Sequence, residues 1–195
     1  MTRRPIAVAI TGGIGAGKSE ALRAFARHGA ATVSSDEIVH HLLLRPDVRD
    51  EIVGRVGHGV VAPDGEIDRG ALATVVFNDR ESLDWLEQLL HPLVSAEYLQ
   101  WREQVAELPD APRVTVTEVP LLYESGAESR FDKVVVVTAP TQLRRARSPV
   151  ATEDREARLI DDREKVARSD YSFRNTGSLE ELDSFVASVM RDLTT

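Results

Sequence analysis

The 195-residue chain contains no cysteine, which excludes disulfides, thiolate nucleophiles and zinc–thiolate sites together. It also lacks any uninterrupted apolar stretch near the roughly 18 residues that a membrane-spanning helix needs. The start, Met1-Thr2-Arg3-Arg4-Pro5, is basic, but the apolar run behind it ends at Ile10 and gives way to glycines. A secretory leader requires a longer run and a small-residue cleavage site, so a cytoplasmic protein without a membrane partner is expected. No dense run of Lys or Arg is present either, and the formal net charge is −8. Such a field repels nucleic-acid phosphates, so no nucleic-acid partner is expected and any anionic ligand has to be captured locally. No repeat or low-complexity segment stands out. What is there is globular in character, with 42% hydrophobic and 29% charged residues. The length gives room for one domain with a buried core and a small inserted subdomain.

Ile6 to Ile10 is a short apolar run ending in glycines, the pattern of a strand buried on both faces. From Ser19 to Arg27 the pattern becomes helical, with Leu22, Phe25 and Ala26 on one face and Gly29 as a C′ stop. Ala30 to Val33 reads as a second strand. Asp36 then sits at or just before a helix carrying Ile38, Val39, Leu42 and Leu43. The stretch from about residue 36 to about 108 reads as mainly helical, with a turn at Ala62-Pro63-Asp64-Gly65. Within it, Leu83, Leu86, Leu89 and Leu90 predict a helix ending near His91-Pro92, and another helix up to the Pro109–Pro112 break. Val114–Val119 and Val134–Val137 are β-branched runs that predict strands. Leu143 to Lys165 is strongly charged and predicts exposed helices, and Leu179 to Leu193 an amphipathic closing helix. Strands alternating with helices imply an α/β fold with a parallel sheet covered on both faces. Ligands then collect outside the C-terminal strand edge, which places Gly12–Ser19, Asp36 and Glu118 along one rim.

Gly12-Gly13-Ile14-Gly15-Ala16-Gly17-Lys18-Ser19 fits the pattern G-x-x-x-x-G-K-[ST] in full, between a predicted strand and a predicted helix. Glycines let the main chain curl and turn successive N–H groups onto phosphate oxygens, while the helix points its positive end at the same place. Lys18 supplies a point charge for the outer phosphates, and the Ser19 hydroxyl can ligate Mg²⁺. A nucleotide-binding switch and a small-molecule kinase both use such a loop. The Asn-Lys-x-Asp tetrapeptide of guanine-reading switches does not occur here. An acid after the second strand and an arginine-rich segment late in the chain favour phosphoryl transfer to a bound acceptor.

Several elements together resemble the dephospho-CoA kinase family, in order and over essentially the whole chain. They are Thr11 to Ser19, Ser35-Asp36-Glu37-Ile38, Leu90-His91-Pro92, Glu118-Val119-Pro120-Leu121-Leu122-Tyr123-Glu124 and Lys165 to Gly177. The Walker-type loop is shared by many families; the His-Pro and Pro-Leu-Leu-aromatic-Glu elements are much more specific. The resemblance implies MgATP-dependent phosphorylation of the ribose 3′-hydroxyl of dephospho-CoA, the last step of coenzyme A synthesis. It also implies a P-loop core with a parallel five-stranded sheet (about 1–35, 112–140 and 166–195), a helical substrate-binding insertion (about 36–108) and a lid (about 143–165). The chain is expected to act as a monomer or small homo-oligomer.

The resemblance gives each site residue a role, and each role has a structural counterpart. Residues Gly12 to Glu20 are expected to hold ATP. Asp36 matches the acid that faces the acceptor hydroxyl, and equally reads as a helix N-cap. Glu118, where a Walker-B-like acid would help hold Mg²⁺, is also an ordinary strand-end acid. Pro120, Leu121, Leu122 and Tyr123 form either the acceptor wall or core. His91 contacts substrate or caps a helix. Arg147 matches the arginine near the lid start and Arg158 the one opening an Arg-Ile-x-x-Gln element, with Arg144 and Arg145 as further candidates. Asp–Arg and Glu–Arg pairing on solvated helix faces would account for the same charges. Asn175, in Arg174-Asn175-Thr176-Gly177, lies near the adenine or serves as a turn residue. The chain departs from the family pattern in three places. Ser34 stands where many members carry a second Asp, Asp162 where Gln is usual, and about three residues are missing before Arg163.

Overall fold

The computed structural model describes residues 4–147 and 160–195. Five strands, β1 (Ile6–Thr11), β2 (Ala31–Ser34), β3 (Val114–Glu118), β4 (Lys133–Thr138) and β5 (Tyr171–Arg174), form one sheet in the order β2-β3-β1-β4-β5. All four pairings are parallel, as the alternating pattern predicts. Every residue of β3 is buried, and so is most of β1 and β4; β1 and β4 accordingly read as near-continuous apolar runs, whereas β3 buries Thr115, Thr117 and Glu118 among its valines.

Alternation along the strands divides the core. Val8, Ile10, Val114, Val116, Val135 and Val137 face α1 (Lys18–Arg27) and the C-terminal helix (Leu179–Thr194). Ala21, Leu22, Ala24 and Phe25 answer from the first of these helices, and Leu182, Val186 and Val189 from the second. Burying a side chain such as Phe25 completely contributes about 1.5–3 kcal/mol. Ala9, Val134 and Val136 point to the other face and pack with Leu122, Tyr123 and Ala127. Helix α1 ends as its sequence predicts: Gly29 N–H bonds to Ala26 O and Ala30 N–H to Phe25 O, with Gly29 at φ +89°. Those are the two bonds of a Schellman stop.

Residues Ser35–Trp101 form a second compact unit, distinct from Met1–Ser34 with Arg102–Thr195. It contains α2 (Ser35–Leu43), α3 (Pro46–Val56) and α4 (Arg69–Asn78). A narrow turn closed by the Val61–Ile67 bridge links the last two. Asp68 caps α4 by accepting from Gly70 and Ala71 N–H. Helix α5 runs unbroken from Arg80 to Ala106 with Pro92 inside it, which corrects the two helices expected on either side of His91-Pro92. Proline removes one main-chain bond, but the buried stripe carries on through it, with Leu83, Leu86 and Leu90 before and Tyr98 and Val105 after. Packing of that stripe outweighs the lost bond.

Helix α6 (Thr141–Arg147) is short and largely exposed, as its charges predict. Helix α7 (Asp162–Arg168) is mostly exposed as well, and departs from that expectation at Lys165. That side chain is fully buried, with Nζ 2.7 Å from Glu124 Oε1, while its neighbours Glu164 and Val166 are exposed. The charge is tolerated inside because a carboxylate meets it there. Helix α8 is the C-terminal helix, Leu179–Thr194. Among the described residues no helix is long and apolar enough to cross a membrane.

Candidate active site

The chain leaves β1 at Thr11, curls through Gly12–Gly17 and enters α1 at Lys18. Gly12 is a necessity of this curl: at φ +144° a Cβ would lie 1.9 Å from Val137 O, inside β4. The first turn of α1 brings the main-chain N–H groups of Lys18, Ser19 and Glu20 to the helix start, the end of a helix that offers donors to an anion; the next, Ala21 N–H, bonds to Gly17 O. The Glu20 carboxylate turns away to Arg23 at 2.6 Å and Arg27 at 3.5 Å. What Glu20 offers an anion is therefore its main-chain N–H.

Lys18 is buried and folds back along the loop, its Nζ donating to Gly13 O at 3.1 Å. The Ser19 hydroxyl donates to Glu118 Oε1 at 3.4 Å. Glu118 is the last residue of β3 and is 4% exposed. It is in register with Ile10 on one side and Ser34 on the other, so the loop, the carboxylate and the end of β2 share one rim. Thr11 Oγ1 donates to Pro120 O at 3.2 Å and holds the loop after β3 beside β1. These donors and oxygen ligands can take up a polyphosphate and a hard cation.

The back of the loop is braced by α6 and the turn after β5. Arg147 Nη1 donates to Gly15 O at 3.4 Å, and the Arg144 guanidinium fills the space beside Gly13. Asn175 is 5% exposed and donates from Nδ2 to Ala16 O at 2.8 Å. Arg158 lies outside the described residues.

Asp36 and His91 belong to the helical unit. Asp36 is the second residue of α2 and exposed, and His91 is exposed on α5. Of the expected acceptor wall, Pro120 and Leu121 are half-buried, whereas Leu122 and Tyr123 lie in the core beneath the sheet. The Arg168 guanidinium covers the Tyr123 ring at 4.3 Å, and burial pushes the phenol above its ordinary pKa despite the opposing charge of Arg168. Leu122 and Tyr123 are thus core residues, buried against Ala9, Val134 and Val136. Glu124, the end of that element, accepts from Ile160 N–H at 3.0 Å as well as meeting Lys165. Lys165 carried no signal of this pairing in a segment whose other charges read as solvated.

A Walker-type loop on the central strand of a parallel sheet, with a strand-end carboxylate beside its serine, defines a P-loop nucleotide-binding protein. Within that class the dephospho-CoA kinase family model matches residues 6–181. The chain belongs to the dephospho-CoA kinase family. It is 40% identical over 192 residues to a dephospho-CoA kinase of Symbiobacterium thermophilum, covering 94% of this chain and 80% of the relative. A crystal structure from Thermus thermophilus is similar at TM-score 0.77 and 32% identity, over 99% of this chain and 100% of the other. Dephospho-CoA kinase from Campylobacter jejuni is similar at TM-score 0.71 and 27% identity, over 96% of each chain.

Proposed function

We propose that the protein transfers the γ-phosphate of ATP to the ribose 3′-hydroxyl of dephospho-CoA, giving coenzyme A and ADP. The observation that carries this reading is Lys18 and Ser19 at the head of α1 beside Glu118, in a chain of this family. Main-chain N–H groups of residues 12–20 take up the phosphate oxygens, and Lys18 neutralises charge on the outer phosphates. Ser19 Oγ and the Glu118 carboxylate are an oxygen-only pair that suits Mg²⁺, an ion that keeps much of its water. Bound there, the cation would offset phosphate charge. Asp36 orients the 3′-hydroxyl and accepts its proton as the new O–P bond forms and the bond from γ-phosphorus to the β-phosphate oxygen breaks. The helical unit holds the acceptor, with His91 from its long helix; Pro120 and Leu121 add an apolar wall. Arg147, anchored at the loop, offsets charge on the transferring group, and Arg158 carries its assignment from the resemblance alone. The net charge of −8 supports a role without nucleic acid, and we take the protein to work in the cytoplasm as a monomer or small homo-oligomer.

ADP release measured with dephospho-CoA and with a panel of nucleosides and nucleoside monophosphates tests the substrate. Preference for any member of the panel overturns the reading. Asp36→Asn should lower kcat by about 10²-fold or more with the ATP dissociation constant unchanged. ATP binding lost in step with turnover would remove Asp36 from the acceptor side.

A further inference from the structure

A trans peptide unit carries its C=O and N–H on opposite sides, so whatever grips the carbonyl also aims the amide. In the phosphate loop the gripped carbonyl is that of Ala16, which accepts from Asn175 Nδ2 at 2.8 Å. The amide of the same peptide unit belongs to Gly17, and among the described residues it donates to no main-chain acceptor. Asn175 is itself fixed. Its own N–H donates to Thr138 O at 2.7 Å, and its Oδ1 accepts from Gly177 N–H at 3.0 Å. Both ends of the side-chain amide are engaged inside the protein, in a residue that is 5% exposed. The fit with Gly17 is mutual, because a Cβ there would lie 2.3 Å from Asn175 Nδ2. At φ +103° the position also disfavours any side chain.

We propose that Asn175 is a positioning residue for phosphoryl transfer: by holding the Ala16 carbonyl it turns the Gly17 N–H toward the phosphate-binding side of the loop. This rests on the nucleotide-binding reading above and differs from a contact with adenine. The turn after β5 thereby sets the shape of a loop that follows β1. A buried amide that holds an amide in place acts on phosphate affinity without touching the nucleotide.

The isosteric variant Asn175→Asp keeps the acceptor for Gly177 N–H and sets an oxygen against Ala16 O. Calorimetric titrations of parent and variant with tripolyphosphate, ATP and adenosine, alongside steady-state kinetics, separate the outcomes. Tripolyphosphate and ATP should bind about tenfold more weakly, the scale of one charge-assisted hydrogen bond. Adenosine affinity and the KM for dephospho-CoA should not move. Lowering the pH until the introduced carboxyl is protonated should restore part of the tripolyphosphate affinity, since its O–H again donates. Asn175→Ala, which removes the donor without adding charge, should give the same split. Unchanged tripolyphosphate binding overturns the proposal, as does a loss confined to adenosine or one shared equally by both substrates and the melting temperature. A parent protein that binds no ATP would instead sink the kinase reading, and the role of Asn175 with it.

Discussion

The two edges of the sheet use charge in opposite ways. At the N-terminal edge, carboxylates close on neighbouring cations and strand N–H groups. Asp132 receives Arg4 through two bonds of 2.9 and 2.7 Å and also Ala7 N–H at 2.9 Å. Asp170 receives Lys133 Nζ and Val134 N–H, each at 2.8 Å, and Asp192 receives the Tyr171 hydroxyl. At the C-terminal edge, Arg147 and Asn175 donate instead to loop carbonyls. Those bonds shape a surface of N–H groups and a lysine. Charge that closes on itself holds the fold, and donors bonded to a curled main chain prepare it for an anion. The edges should therefore fail differently when mutated.

The largest effect is expected at the C-terminal edge. Lys18→Ala should reduce turnover by on the order of 10²–10³-fold, the loss typical of one preorganised transition-state donor. Its melting curve should stay close to the parent's, because the main-chain bonds that define the loop remain. Steady-state kinetics beside thermal denaturation decide the matter. A fall in stability large enough to explain the lost turnover would erase the distinction between the edges.

The division was only partly legible beforehand. The phosphate loop is readable because its chemistry needs glycines, Lys18 and Ser19 within eight consecutive positions, β1 and β4 because strands buried on both faces are largely apolar, and β3 because its valines and threonines are β-branched. Pro92 misled because a local rule about one lost hydrogen bond cannot weigh the buried stripe on either side. Lys165 misled because a lone lysine in a charged stretch looks the same whether it meets water or Glu124. Asn175 was visible as a turn residue, but its partner Ala16 is 159 positions away, and no spacing rule links them. The N-terminal edge was not legible at all, since Arg4, Asp132 and Asp170 become neighbours only through strand order.

At that edge, Asp132→Asn tests the opposite failure. The substitution leaves an acceptor for Ala7 N–H but ends the charge pairing with Arg4, so stability should drop by about 1 kcal/mol with kcat unchanged. Burial pushes the Asp132 carboxyl upward, but the Arg4 guanidinium and Ala7 N–H outweigh it and hold it below the usual carboxylate range. A carboxyl depressed in the folded state stabilises above its unfolded pKa, and that contribution is lost as pH falls through the folded value. Urea denaturation at a series of acidic pH values should show a shallower loss in the variant. Altered kcat at neutral pH would mean that the two edges are coupled.

The smallest effect concerns Tyr171, at the start of β5. Burial, and then its hydrogen bond to the Asp192 carboxylate, push the phenol up to about 12. The unfolded phenol ionises near pH 10. Between these values the unfolded chain releases a proton that the folded chain keeps, so stability is complete below pH 10 and declines as pH rises toward 12. Tyr171→Phe has no proton to release and should show a flatter alkaline limb in denaturation. At neutral pH its cost should be about 0.5–1.5 kcal/mol for the lost hydrogen bond, without change in kcat. Tyrosinate absorbance of the parent should contain a transition near pH 12 that the variant lacks, the raised phenol of Tyr123 being common to both. An unchanged alkaline limb would show that Tyr171 and Asp192 do not close the N-terminal edge as the other pairs do, and the contrast would then rest on Asp132 and Asp170 alone.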